Sequence, residues 1–115
     1  MSLEKPDFVR HFREGIAHFN ASEFWHAHES WETLWLAARS ETKQFLQGLI
    51  QVAAAYHHVK RGTLRGAPRL FEAGMAKLAP FPQGYCGLDR SAVKSLSSDF
   101  PKLREIAIAP PANDW

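Results

Sequence analysis

The sequence predicts an all-helical domain, and three observations carry that prediction. Apolar residues recur at three- and four-residue spacing through most of the chain before Pro80. No stretch alternates at period two with β-branched enrichment, so no sheet is expected. Capping residues and glycines fall where the periodic runs end. Together they describe a compact bundle of about five helices built from two helical hairpins, tetratricopeptide-like in outline.

The first helix is expected over Pro6 to Asn20, with Pro6 in its first turn and Phe8, Phe12, Ile16 and Phe19 on one face. A break at Asn20-Ala21-Ser22 follows. Ser22 reads as the N-cap of a second helix that runs to Ala38, with Glu23 in its first turn. Ser40, backed by Glu41, reads as the next cap, and a third helix spans Glu41 to Arg61. Gly62 supplies its stop, after Lys60 and Arg61 in the last turn. A fourth helix is expected from Thr63 or Leu64 to Ala79, although Pro68 sits late for a first-turn proline. Ala79 to Leu88 is loop by its proline and glycine content. Asp89 is placed to cap a fifth helix that ends before Pro101, and the Pro-Pro pair of the tail forbids a helix through it. The segments Ala17–Ala27 and His57–Ala67 resemble each other, and each bridges a helix end, a turn and the next helix start. This is the basis for two paired hairpins, too few units for a solenoid.

The chain has 115 residues, which fits one domain over 1–115, its core over about 6–100 and an extended tail over 101–115. Its single cysteine, Cys86, forms no internal disulfide and suits a reducing compartment. The N-terminus MSLEKPDFVR lacks the apolar core of a signal peptide. The run from Leu46 to Tyr56 is too short for a bilayer and is interrupted by Gln47 and Gln51. A soluble, cytoplasmic protein without a membrane partner is therefore expected. A formal net charge of +2 is too mild to call for nucleic acid. The cluster Lys60, Arg61, Arg65 and Arg69 reads as solvated charge around a helix C-terminus, so nucleic acid is not the expected partner. Homo-oligomerisation stays open, and no specific partner is indicated.

Chemistry concentrates on the second and third helices. On a wheel at about 100° per residue, Phe24, Trp25, Ala27, Trp31, Leu34, Trp35 and Leu36 form a wide apolar arc, expected to be buried, with His28 in its middle. Glu32 falls inside that arc and Glu29 at its edge. A carboxylate buried among tryptophans is costly without a partner. The third helix is apolar nearly all round except for a stripe of Gln47, Gln51 and His58. The economical arrangement sets His28 and Glu32 against that stripe, with Ala54 and Ala55 leaving room for a water, an ion or a ligand group.

Several readings follow. The residues can form a closed polar network that fixes helix register. His28 and Glu32, one turn apart, can share a metal ion with His58 as a third ligand and Glu29, His26 or His57 in reserve. That donor set suits Zn, Mn, Fe or Ni without choosing among them. A metal-free acid–base pair is a third reading, but no serine or cysteine nucleophile is placed beside it.

The runs FWHAHESWETLW, FLQGLIQVAAAYHH and RGTLRGA, in that order, resemble the bacterial and archaeal family called domain of unknown function 309. The resemblance covers about Phe12 to Leu78. Its HxxxExxW hallmark reads here as His28, Glu32 and Trp35. The resemblance implies a helical bundle, makes those three positions the ones of interest, and brings with it a suspicion of metal binding but no activity. The expected protein is thus a helical bundle of uncharacterised function. Its His28–Glu32 site faces Gln47, Gln51 and His58, with Trp31, Trp35 and Glu29 beside it, and either binds metal or serves as the polar network of a non-enzymatic interaction module. Whether it is an enzyme is left open.

Overall fold

A computed structural model of the chain describes residues 4–112 and residue 115. Four α-helices make up over half of the chain: α1 (Phe8–Asn20), α2 (Phe24–Ala37), α3 (Ser40–Arg61) and α4 (Ala67–Leu78). Each packs on the next, in the order α1 on α2, α2 on α3 and α3 on α4. None is long and apolar enough to cross a membrane among the described residues.

The helix starts differ from the expected ones for local reasons. Asp7, not Pro6, begins α1: its backbone is extended and its carboxylate accepts the Arg10 N–H at 3.2 Å. Ser22 cannot cap α2, because its φ of 61° is left-handed and a cap needs extended backbone. Glu23 takes the cap position without a side-chain bond to the helix, and its carboxylate pairs with His18 instead. Ser40 likewise lies inside α3, and Arg39 takes the flanking position. Gly62 ends α3 as expected, at φ 75°, a conformation glycine adopts without Cβ strain. The expected start of α4 at Thr63 or Leu64 is too early. Those residues form the turn, the helix starts at Ala67, and Pro68 then sits in the first turn, where its missing N–H costs nothing.

The expected fifth helix does not form. Asp89 pairs with Arg104 in a short antiparallel ladder, β1 (Leu88–Asp89) against β2 (Arg104–Glu105), and its carboxylate holds the Ser91 N–H at 2.9 Å in a local turn. That ladder also corrects the expectation of no sheet; at two residues per strand it carries no periodicity to read. The segment between the strands lies over the helices. The Asn20 side chain clamps Leu103 by both backbone groups, at 2.8 and 2.7 Å, and Tyr56 Oη donates to Ser95 O at 3.2 Å. The tail is extended but firmly docked: Trp115 O accepts the Arg39 N–H at 2.7 Å, and its ring meets Phe8 edge-on. Residues 113 and 114 of that tail lie outside the described residues.

α3 is central and buried, as its pattern implied, and it carries Phe45, Leu46, Leu49, Val52, Ala53 and Tyr56 into the core. Two close crossings set the spacing. Gly15 of α1 leaves the space that the Trp31 indole fills. Gly48 and Gly74 let the α3 and α4 backbones touch. A final contact ends α4: the buried Arg90 guanidinium donates to Leu78 O at 2.8 Å, Phe81 O at 2.7 Å and Pro82 O at 3.1 Å, adding a second donor to Leu78 O and Pro82 O, which also accept the Phe81 and Tyr85 amides.

Candidate functional site

The buried face of α2 is narrower than the expected arc and occupies one side of it. Phe24, Ala27, Trp31 and Leu34 are the buried residues. Trp25 is 48% exposed and Leu36 68%. Both were counted into the core because they are apolar, yet isolated apolar residues at a surface are ordinary. His28 therefore sits at the rim of the buried face, with 17% of its side chain exposed, and Glu32 lies further out at 47%. The expectation of a carboxylate buried among tryptophans is thereby corrected: half of Glu32 is in water, and the desolvation argument no longer applies to it.

What remains at the rim is specific. Trp25 lies flat on the His28 ring, with centroids 4.5 Å apart and planes 7° from parallel, and also touches His57 of α3 at 5.3 Å. His28 Nε2 faces Glu32 Oε2 at 3.7 Å, an ion-pair approach rather than a hydrogen bond. Among the described residues, His28 Nδ1 and Gln51 Oε1 are buried and have no hydrogen-bond partner. One of these atoms can donate and the other can only accept, and α2 packs on α3, so their demands are complementary.

The other predicted site residues are dispersed. His58 is drawn to the turn after α3, where its Nδ1 and Thr63 Oγ1 are 3.0 Å apart. His57 is the α3 histidine that reaches the Trp25 platform. Burial first, then the charges of Arg61, His58, His28 and Lys60, hold its imidazole below the ordinary value. Gln47 is half-buried on α3. Trp31 is fully buried and donates to Phe12 O at 3.2 Å, which makes it a core residue. Trp35 is half-buried beneath Lys43, whose Nζ lies 4.1 Å from the ring centroid. Glu29 is exposed and pairs with His26 at 3.4 Å. His11–Glu14 and His18–Glu23 are further pairs of this kind on the α1–α2 surface. The buried, unpartnered Nδ1 separates His28 from these other histidines. Among the described residues, no group of three or more His, Cys, Asp or Glu side chains could hold a metal ion. Sequence reasoning held His57 only in reserve as a metal ligand and counted Trp25 as core, so it missed Trp25 as a site residue. The signal that could have found Trp25 is its wheel position, on the same side as Glu29 and Glu32.

Of the basic cluster, Lys60 is bound to Ser22 O at 2.7 Å, while Arg61, Arg65 and Arg69 are exposed. Cys86 is buried, and burial pushes its thiol up to about 12, which fits the expected bystander.

The sequence pattern of a family described as "Domain of unknown function (DUF309)" matches residues 12–70. A protein of Aquifex aeolicus (strain VF5), described as "Uncharacterized protein", is 26% identical over 93 residues, which are 80% of this chain and 28% of that protein. The chain thus spans well under half the length of that relative.

Proposed function

The chain belongs to the family described as domain of unknown function DUF309, and from that premise we propose that His28 and Glu32 hold a single divalent transition-metal ion, Zn, Mn, Fe or Ni, in an open site on the α2–α3 rim. The observation that carries this reading is the two-sided environment of His28. With its proton on Nδ1, which has no hydrogen-bond partner among the described residues, His28 keeps its other ring nitrogen free. Nε2 then turns a lone pair toward the Glu32 carboxylate at 3.7 Å. Two electron-pair donors set that close call for a cation between them.

The donor set fits an open site and does not fit a closed structural one. Imidazole and carboxylate one helical turn apart are two ligands, whereas structural zinc takes four from protein. The remaining positions fall to water or to a group on a partner. Trp25 covers one face of the ring and restricts its rotation. A bound ion would act as a Lewis acid at a solvent-accessible position.

The second reading puts a proton where the ion would be. His28 and Glu32 are then an ordinary surface pair, and the polar seam is structural, in a helical interaction module of tetratricopeptide-like outline. The relative favours a module, because the matched region is a minor part of a much longer chain.

One set of measurements separates the two. Metal content and binding isotherms for Zn, Mn, Fe(II) and Ni are measured on the full chain and on His28→Ala and Glu32→Gln. The metal reading requires one ion per chain for at least one of these metals, with affinity lowered about ten-fold or more in each variant, the usual scale for losing a metal-site contact. No binding, or binding that survives both substitutions, overturns it. A loss of thermal stability in Glu32→Gln without bound metal supports the structural reading instead.

A further inference from the structure

A second site lies away from His28. Helices α1 to α4 and the segment that crosses over them leave a cavity of about 220 Å³. Phe19, Trp31, Leu49, Met75 and Phe81 are among its apolar lining residues, and Gln83 and Arg90 bring polar groups to it. Neither His28, Glu32 nor Gln51 lines it.

Arg90 makes this more than a packing defect. The residue is only 7% exposed. Among the described residues no carboxylate pairs with it, and burial alone, with no neighbouring charge, pulls its pKa below the ordinary value. Its three bonds to Leu78 O, Phe81 O and Pro82 O use three of the five guanidinium donors. The Phe45 ring also lies 5.6 Å from the guanidinium carbon; carbonyl dipoles and a ring face attend the group but supply no anion, and a buried cation without an anion is a costly element to keep. An acyl, alkyl or aryl anion would bring the missing charge and fill the apolar space in one molecule.

We propose that this cavity binds a small apolar monocarboxylate, with its carboxylate on Arg90 and its hydrocarbon part against Trp31, Phe19 and Phe81. The size sets the class: an apolar cavity of about 150 Å³ takes benzene, so this larger one has room for an aromatic ring and a carboxylate. Benzoate and phenylacetate are the matching probes. A long-chain fatty acid does not fit.

The test uses the full chain in solution, with binding followed through the indole and backbone amide resonances and by calorimetry. Benzoate or phenylacetate is expected to shift the Trp31 indole signal and to bind at least about ten-fold more tightly than benzyl alcohol, which has the ring without the charge. Arg90→Gln should abolish that preference. Because this substitution also removes a donor from Leu78 O, Phe81 O and Pro82 O, Val93→Phe provides an independent variant: it adds bulk at another lining residue, keeps the Arg90 guanidinium, and should lower benzoate affinity about ten-fold or more. Equal affinity for benzoate and benzyl alcohol overturns the proposal. So do a Trp31 signal that does not respond to millimolar benzoate or phenylacetate, and benzoate binding that Val93→Phe leaves intact.

Discussion

Replacing Gly74 by alanine sets two effects of known sign against each other. Alanine is the better helix former by about 1 kcal/mol in a helix interior. On that ground alone Gly74→Ala would raise stability. A Cβ at this position, however, would lie 2.8 Å from Gly48 O, 2.9 Å from Val52 Cγ2 and 3.0 Å from Val52 N. Two of those atoms are backbone of the central helix α3 and cannot rotate aside. Relief requires α4 to move away, which loosens Leu78 and Phe71 in the core. Overpacking of this kind costs about 1–3 kcal/mol, and contact with rigid backbone belongs at the upper end. The net loss is then about 1–2 kcal/mol. With an unfolding entropy of about 2.1 cal/mol/K per residue, 1 kcal/mol corresponds to roughly 4 °C for a chain of this length, so Tm should fall by about 4–8 °C. Urea unfolding followed by circular dichroism checks the same quantity, with an unchanged slope showing that only stability has moved. A Tm that rises or stays level would mean the α3–α4 crossing is not as close as described, and the reasoning fails.

Two other predictions concern titratable groups. His57 has its imidazole held below the ordinary value of 6.5, so the folded state prefers it neutral. The associated stability is complete above the unfolded value and drains away as pH falls through 6.5 toward the folded value. His57→Gln should flatten this part of the profile: the urea midpoints at about pH 7.5 and about pH 5.5 should lie closer together than in the parent. A variant with the parent's pH dependence would refute the assignment. Cys86, with its thiol raised to about 12 by burial, should resist a thiol-reactive dye at neutral pH and react readily in urea. Equal rates in the two conditions would contradict its placement.

The parts of this fold that were legible in the sequence are those encoded within a single helix. The phenylalanines of α1 and the all-round apolar surface of α3 specify buried faces through spacing alone, and Gly62 after Lys60 and Arg61 specifies a stop. What failed depended on groups distant in sequence. Asp89 looked like a cap because its pairing with Arg104 lies fifteen residues on. Arg90 carried no signal in the sequence, because the carbonyls it binds belong to the end of α4 and the loop after it. Within α2 the error was different in kind. His28, Glu32 and Gln51 were found from pattern, and His28 Nδ1 and Gln51 Oε1 are buried without a hydrogen-bond partner among the described residues. The wheel misjudged which apolar residues pointed inward, because α2 carries apolar residues on more of its circumference than it buries.

The two candidate sites therefore rest on different parts of the chain. His28, Glu32, Gln51, Trp25 and His57 all lie within the residues the family pattern matches. Arg90, Val93 and Leu103, which complete the cavity wall, lie beyond them. The rim site is made by two packed helices alone, so its geometry should survive changes in whatever follows α4. The cavity exists only where a segment like 90–103 crosses the helices, held by the Asn20 clamp on Leu103 and the Tyr56 bond to Ser95. Weakening that clamp with Asn20→Ala should reach the cavity first. Carboxylate binding, where present, should drop before any property of His28 changes, because no residue of the rim site touches the clamped segment in the hydrogen bonds that hold it. A variant in which both properties fell together without a loss of global stability would mean that the rim and the cavity are one coupled site rather than two.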